Sequence, residues 1–403
     1  MSGTSLSGPG PRIAVVGGGI GGLTTAAAMV RRGLDVTVYE SADTLREDGV
    51  GMHLGPNGTR LLQRLRLSDA LAREAVRPDA LEVRTADGGL VVRQPMGETW
   101  ETRYAAPYLT VHRGTLHHMI AALLPGGRVF TGKRLVSHEE TATEVRLRFA
   151  DGSHTRVDVL VGADGARSRV RRTIAGEDRP VHSGSSAFRG IVEAHRVPAL
   201  SARLMYMFVG PTARLLFYPI DGGQHFTYVA VVPTAEPLEE SWTSAAEPAD
   251  LAGALAGWET AAARQVVAAA TDVRCWGLYD REPLERWSTG RTTLLGDAAH
   301  PMLPHHGQGA NQAIEDAVTL AICLAGTPRD ADAVAAALQN YERVRRPHTT
   351  RVQLGSREGR MPADPVARGG SRLDHIIQGT EWIHRHDAEA VIAHSSPAFI
   401  DGK

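Results

Sequence analysis

The segment RIAVVGGGIGGLTTAAAMVRRGLDVTVYE, residues 12–40, decides the fold. Arg12–Val16 is a short apolar run that enters GGGIGG. A stretch of helix formers follows and closes on Gly33, and DVTVYE then alternates, is rich in β-branched residues and ends in an acid, Glu40. Strand, glycine turn, helix, strand and acid within about 30 residues form the unit that binds a dinucleotide. The glycine pattern is weak on its own, and its place between strand and helix gives it force. Gly17, Gly19 and Gly22 let the backbone approach a pyrophosphate at the helix N-terminus, where unpaired N–H groups and a partial positive charge favour an anion. Glu40 then accepts hydrogen bonds from a ribose.

Farther along the chain, LEVRTADGGLVVRQ at 81–94, EVRLRFADGSHTRVDVLVGADG at 144–165 and ARLLFYPIDGGQHFTYVAVVP at 213–233 are alternating runs broken by Asp-Gly and Gly-Gly, which are hairpin signals. A mixed or antiparallel sheet therefore interrupts the dinucleotide-binding unit. The expected architecture is α/β, with a Rossmann-like domain interleaved with a mixed-sheet substrate domain and followed by C-terminal helices. The dinucleotide domain is expected over 11–75, 110–180 and 288–354, and the substrate domain over 76–109 and 181–287. Residues 1–10 read as a loose tail, and 355–403 as a Gly-, Pro- and Arg-rich loop with a last helical segment.

Bulk properties exclude several classes. Across 403 residues the formal net charge is −1 with acids and bases mixed, so no footprint for nucleic acid or anionic membrane is present. Apolar runs such as LTTAAAMV at 23–30 are far shorter than the ~20 residues of a membrane span, and MSGTSLSGPG lacks the apolar core of a signal peptide. With only Cys275 and Cys323, neither a disulfide scaffold nor a cysteine-ligated zinc site is expected, and a reducing cytoplasm fits. The pairs His117–His118 and His305–His306 cannot both face one way on a helix or strand, so no metal site is expected.

Two further acids lie at strand ends. Asp164 follows the apolar VLVG in VLVGADGARSRVRR (159–172), and Asp297 follows TTLL in GDAAHPMLPHHGQGANQAIEDA (296–317). In an open α/β sheet ligands bind beyond the carboxyl ends of the strands, so both point toward the dinucleotide, with a helix-capping role as the alternative for each. In the second stretch Pro301 and Pro304 forbid a helix, while residues from Ala310 onward favour one. A loop there delivers a ligand to a helix N-terminus.

These three motifs, in this order, resemble the single-component FAD-dependent aromatic hydroxylases of the p-hydroxybenzoate hydroxylase fold. The likeness runs from Ile13 to WIHRHDA at 382–388. GVGMHLGPN at 49–57, VHRGTLH at 111–117 and HPMLPHHGQG at 300–309 are most similar to the salicylate hydroxylase-like branch and, within it, to 6-hydroxynicotinate 3-monooxygenases. The resemblance implies one noncovalent FAD, reduction by NADH or NADPH without a second nucleotide domain, and O2 as co-substrate. It further implies hydroxylation, with or without decarboxylation, of a small hydroxylated aromatic or heteroaromatic acid through a flavin C4a-hydroperoxide. A larger natural-product intermediate is the alternative substrate, and the chain is expected as monomer or homodimer.

For FAD, the resemblance assigns Gly17, Gly19, Gly22, Glu40, Arg46, Arg113, Asp164 and Asp297. Gly309, Ala310 and Asn311 would present a helix N-terminus to the pyrimidine edge of the flavin. His53 is the implied base for the ring hydroxyl, its unperturbed pKa near ~6.5 suiting neutral pH, with packing beneath the flavin as the alternative. His305, with Pro304 holding its loop, and Tyr218 match residues at the substrate. Arg214, four residues before Tyr218 and so on the same strand face, is expected to grip a carboxylate, with a position near an edge that reaches to water as the alternative. The 6-hydroxynicotinate enzymes carry histidine in place of Arg214 and cysteine in place of Met205, so the pocket differs.

Overall fold

The computed structural model describes residues 10–45, 49–177, 179–211, 213–234, 244–358 and 379–395. Arg46, most of the expected tail and much of the expected 355–371 loop lie outside the described residues. Five parallel strands form the first sheet, in the order Thr292–Leu294, Val159–Gly162, Arg12–Val16, Asp35–Tyr39, Val129–Phe130. Its central strands are buried on both faces, which is why RIAVV and VLVG read as unbroken apolar runs rather than alternation. Helix Ile20–Val30 returns the chain between the first two strands and packs with helix Gly309–Leu324 on one core containing Ile13, Leu23, Met29, Leu160, Ile314 and Leu320.

The second sheet has eight strands, ordered Ala245–Ala246, Val273–Asp280, Val181–Glu193, His225–Pro233, Arg214–Ile220, Leu204–Val209, Ala80–Thr85, Leu90–Pro95. It is antiparallel except where Leu204–Val209 runs parallel to Ala80–Thr85. The hairpins expected at 81–94 and 213–233 are both present. The run at 144–165 behaves differently. Val145–Phe149 lies between His154–Val157 and Leu135–Glu140 in a separate three-stranded sheet, and Val159–Gly162 joins the parallel sheet.

Alternation gives the eight-stranded sheet two apolar faces. Leu215, Phe217, Phe226 and Phe188 point one way, onto helices Pro248–Ala254 and Ala261–Ala269. Leu216, Tyr218, Ile220, Met205 and Trp276 point the other way, toward the first domain. Strand Gly51–Leu54 is pressed onto that second face: a Cβ on Gly51 would lie 2.4 Å from Thr227 Cγ2 and 2.6 Å from Tyr218 Cε2. No helix among the described residues is long and apolar enough to cross a membrane.

Candidate active site

The glycine turn is built for close approach, and each glycine has its own reason. Gly17 has φ +110°, and a Cβ there would sit 2.2 Å from the Ala163 carbonyl oxygen. A Cβ on Gly22 would sit 1.9 Å from the Gly17 oxygen, whereas one on Gly19 would meet nothing within 4 Å. Gly17 and Gly22 therefore serve the protein's own packing, and Gly19 faces open space. Helix Ile20–Val30 begins there with no side-chain cap, so its first N–H groups face that space. Glu40 is held beside the turn: its carboxylate accepts from Gly18 N (2.6 Å), Ala42 N (2.8 Å) and the Ser41 hydroxyl (3.0 Å). On the turn's other side the buried His117 donates from Nε2 to the Gly18 carbonyl at 2.5 Å.

The two acids at the strand ends differ. Asp164 caps helix Arg169–Ala175, accepting from Arg169 N (2.7 Å), Val170 N (3.3 Å) and the Ser168 hydroxyl. Its backbone, not its carboxylate, borders Gly17. Asp297 is open to solvent although protein surrounds it. Burial pushes its carboxyl up, against the pull of His300, Arg113, Arg171 and Arg281. Its exposure nevertheless favours the charged carboxylate. Arg171 ties the two turns together, donating to the carbonyls of Ala166, Asp297 and Ala298.

Helix Gly309–Leu324 likewise starts uncapped, after Gln308. The Asn311 side chain is committed to protein: Oδ1 accepts from Gly55 N at 2.9 Å, while Nδ2 donates to the carbonyls of Gly307 (3.0 Å) and His53 (3.2 Å). It clamps the GMHLGPN segment to the helix, leaving backbone N–H groups to face the cleft. Farther along, Glu315 and Asp316 are fully buried against Arg345 at 2.5 and 2.8 Å. Asp316 also accepts from His300 Nε2 (2.6 Å) and Gly296 N (3.0 Å), so His300 braces the loop. Ligand atoms of Glu315, His348 and His386 converge within 4.8 Å, but Arg345 already neutralises that carboxylate.

At the facing sheet the sequence-predicted residues converge. Arg214 and Tyr218 share a strand face, and Arg214 Nη2 donates to His305 Nδ1 at 2.6 Å, so His305 is neutral with its proton on Nε2. Burial lowers the Arg214 guanidinium to about 10. Tyr218 donates its hydroxyl to the Gly51 carbonyl at 2.7 Å, and its ring meets His53 edge-on with centroids 4.1 Å apart. His53 Nε2 is shielded and has no hydrogen-bond partner among the described residues. A pKa near neutrality is not what this environment gives. Burial, with the Arg189 charge, lowers His53 to about 3. Pro304 opens a short 3-10 turn, Pro304–His306, and is exposed.

A family model described as an FAD binding domain matches residues 12–355. The chain belongs to the FAD-dependent aromatic hydroxylases. It is 43% identical to a 3-amino-4-hydroxybenzoate 2-monooxygenase of Streptomyces platensis, over 96% of this chain and 99% of that one. With a 6-hydroxynicotinate 3-monooxygenase of Bordetella bronchiseptica it shares 37% over 86% and 91% of the two chains. A solved salicylate hydroxylase substrate complex superposes with TM-score 0.82 at 29% identity, covering 97% and 99%.

The hydroxylase's donor set fits FAD: an open glycine cradle, two uncapped helix N-termini and a carboxylate at the second strand's end. Three parts of the site were not read from the sequence. Arg189 lies on the cleft face of strand Val181–Glu193. An aromatic group of Trp100, Tyr104 and Tyr108 surrounds His384, at centroid distances of 4.9, 5.7 and 6.2 Å. The third is the buried Glu315–Asp316–Arg345 set. In each, partners lie on distant elements, and their only local mark is a polar residue in an apolar setting.

Proposed function

We propose that this hydroxylase uses NAD(P)H and O2 to hydroxylate a small aromatic acid that carries a ring hydroxyl, of the aminohydroxybenzoate or hydroxynicotinate type. The observation that carries the reading is the Arg214–His305 pair at one end of strand Arg214–Ile220, with His53 packed on Tyr218 farther along it. A guanidinium fork at one end suits a carboxylate, and an unpartnered imidazole nitrogen at the other suits a hydroxyl. The division of labour is a nucleotide unit (11–75, 110–180, 288–354) against a substrate-facing sheet (76–109, 181–287). Gly17, Gly19, Gly22, Glu40, Arg113, Asp297 and the backbone of Gly309 and Ala310 would hold FAD, Asn311 and Asp164 supporting through the protein. Bound and reduced, the flavin supplies electrophilic oxygen from O2.

The protein's own contribution is binding, orientation and proton handling. Arg214 fixes the ring through its carboxylate, and His305, accepting from Arg214 at Nδ1, keeps the fork oriented. His53 Nε2, neutral throughout the physiological range, receives the ring hydroxyl's proton and so leaves the ring electron-rich. Tyr218, engaged with Gly51, holds the His53 strand against the sheet instead of contacting substrate through its hydroxyl. Affinity for an aromatic acid and its neutral amide, measured with wild type and Arg214→Met, tests the reading. Wild type should favour the acid by about 2–5 kcal/mol, the range for a buried charge pair, and the variant should lose that preference. Equal discrimination in both proteins would remove Arg214 from carboxylate binding.

A further inference from the structure

We infer that Arg189 is the electrostatic partner that keeps the substrate's ring hydroxyl ionised as a phenolate. This rests on the proposed aromatic substrate and adds a residue to it. Arg189 sits on the cleft-facing side of strand Val181–Glu193, opposite Val229, with its guanidinium 5.5 Å from the Trp276 ring centroid. Its Nη2 donates to the Gly51 carbonyl at 3.2 Å, the same oxygen that takes the Tyr218 hydroxyl, and its Nε is shielded without a partner. No carboxylate among the described residues pairs with it. A half-buried guanidinium that faces the cleft without a counter-ion favours an anionic ligand beside it.

The groups around His53 give the same sign. The ionisable neighbours are Tyr218, Tyr108 and Arg189, and burial pushes both tyrosines up, so they stay neutral. Among the described residues the charge that acts on His53 is that of Arg189, and it is positive. That charge opposes protonation of His53 and favours the phenolate. His53 thus passes on the substrate's proton and does not keep it: the O–H bond breaks, His53 Nε2 takes the proton, and solvent finally receives it. Across two strands and two residues, Arg189 and Arg214 are roughly 12 Å apart at Cα. That span suits a ring with its carboxylate and hydroxyl on opposite sides.

The test uses the FAD-loaded enzyme and 3-fluoro-4-hydroxybenzoate, whose fluorine NMR shift reports ionisation of the adjacent hydroxyl. In wild type the bound phenol should titrate below the free compound. In Arg189→Met its pKa should rise by about 1–2 pH units, and in Arg189→Lys it should stay nearer wild type. The Gly51 carbonyl keeps its Tyr218 partner in these variants, so the strand is retained. Identical bound titration in wild type and Arg189→Met overturns the assignment and leaves the substrate reading intact. Failure of the probe to bind wild type overturns both. Should Arg189→Met lose FAD, wild type alone decides, with ring-fluorinated 4-hydroxybenzoates of graded acidity at one pH: binding that strengthens with acidity supports the phenolate, and binding indifferent to it refutes it.

Discussion

His53 stands where a proton acceptor belongs, yet its imidazole is lowered to about 3 by burial and the Arg189 charge. In free enzyme it is neutral from mildly acidic pH upward, so wild-type kcat/KM should show no break near 6.5, and the rise with pH should follow the substrate's hydroxyl. His53→Asn is expected to lower hydroxylation by about 10²–10⁴ with FAD content preserved, the range for loss of a positioned acid–base group. A near wild-type rate in the variant across neutral pH would make His53 a packing residue. Single residues were legible unevenly. His53, His305, Arg214 and Tyr218 sit in motifs or share a strand parity, which a sequence displays. Arg189, in SSAFRGIVEAH, looks like any strand arginine, because which face of that strand meets the cleft is settled only by its register with His225–Pro233 and Val273–Asp280.

At the level of elements, the strand–turn–helix of residues 12–40 was legible, since its order of apolar run, glycines, helix formers and acid is local, although the reason for Gly17 lies at Ala163. Its glycines predict a clean separation of fold from ligand. Gly19→Ala places a methyl where no protein atom lies within 4 Å, with the backbone already in an ordinary extended conformation. Apoprotein stability should stay near wild type while FAD binding weakens by roughly tenfold or more, about 1.4 kcal/mol. Gly22→Ala instead drives a Cβ into the Gly17 carbonyl and should destabilise the apoprotein itself by about 1–3 kcal/mol. Melting of FAD-free protein and FAD titration separate the two, and unaltered FAD affinity in Gly19→Ala would remove the pyrophosphate from that turn. Sheet membership was less legible. The run at 144–165 alternates like the strands of the large sheet, and only long-range pairing sends its hairpin to a small sheet of its own.

Across the whole molecule, the C-terminal segment closes the structure onto the site. Arg64 pairs with Asp387 (2.6 Å) and Glu389 (2.9 Å), His386 Nδ1 meets Glu315 at 2.6 Å, and His384 enters the aromatic group beside the cleft. This closure was not legible, since it joins residues more than 300 positions apart in sequence such as Arg64 and Asp387. Its consequence is acid sensitivity. Burial is the largest cause lowering His53 and His348 to about 3 and His384 to about 4. The unfolded chain protonates these histidines near ~6.5. Their contribution to stability is therefore complete above that pH and is lost as pH falls toward 4, by up to about 1.4 kcal/mol per pH unit for each. Glu315 and Asp316 are held below their ordinary values through Arg345, His386 and His300, despite burial. Their contribution is present above the usual carboxylate range and is lost below it, so the two effects act in the same direction in adjoining windows. The melting temperature should be level above pH 7 and fall steeply from about pH 6 downward. His348→Phe keeps an aromatic ring stacked on His386, now 3.7 Å away, without a group to titrate. It should make the decline between pH 6.5 and 4 shallower than in wild type. A wild-type melting temperature unchanged from pH 7 to 5 would mean that these histidines take up protons in the folded protein without cost.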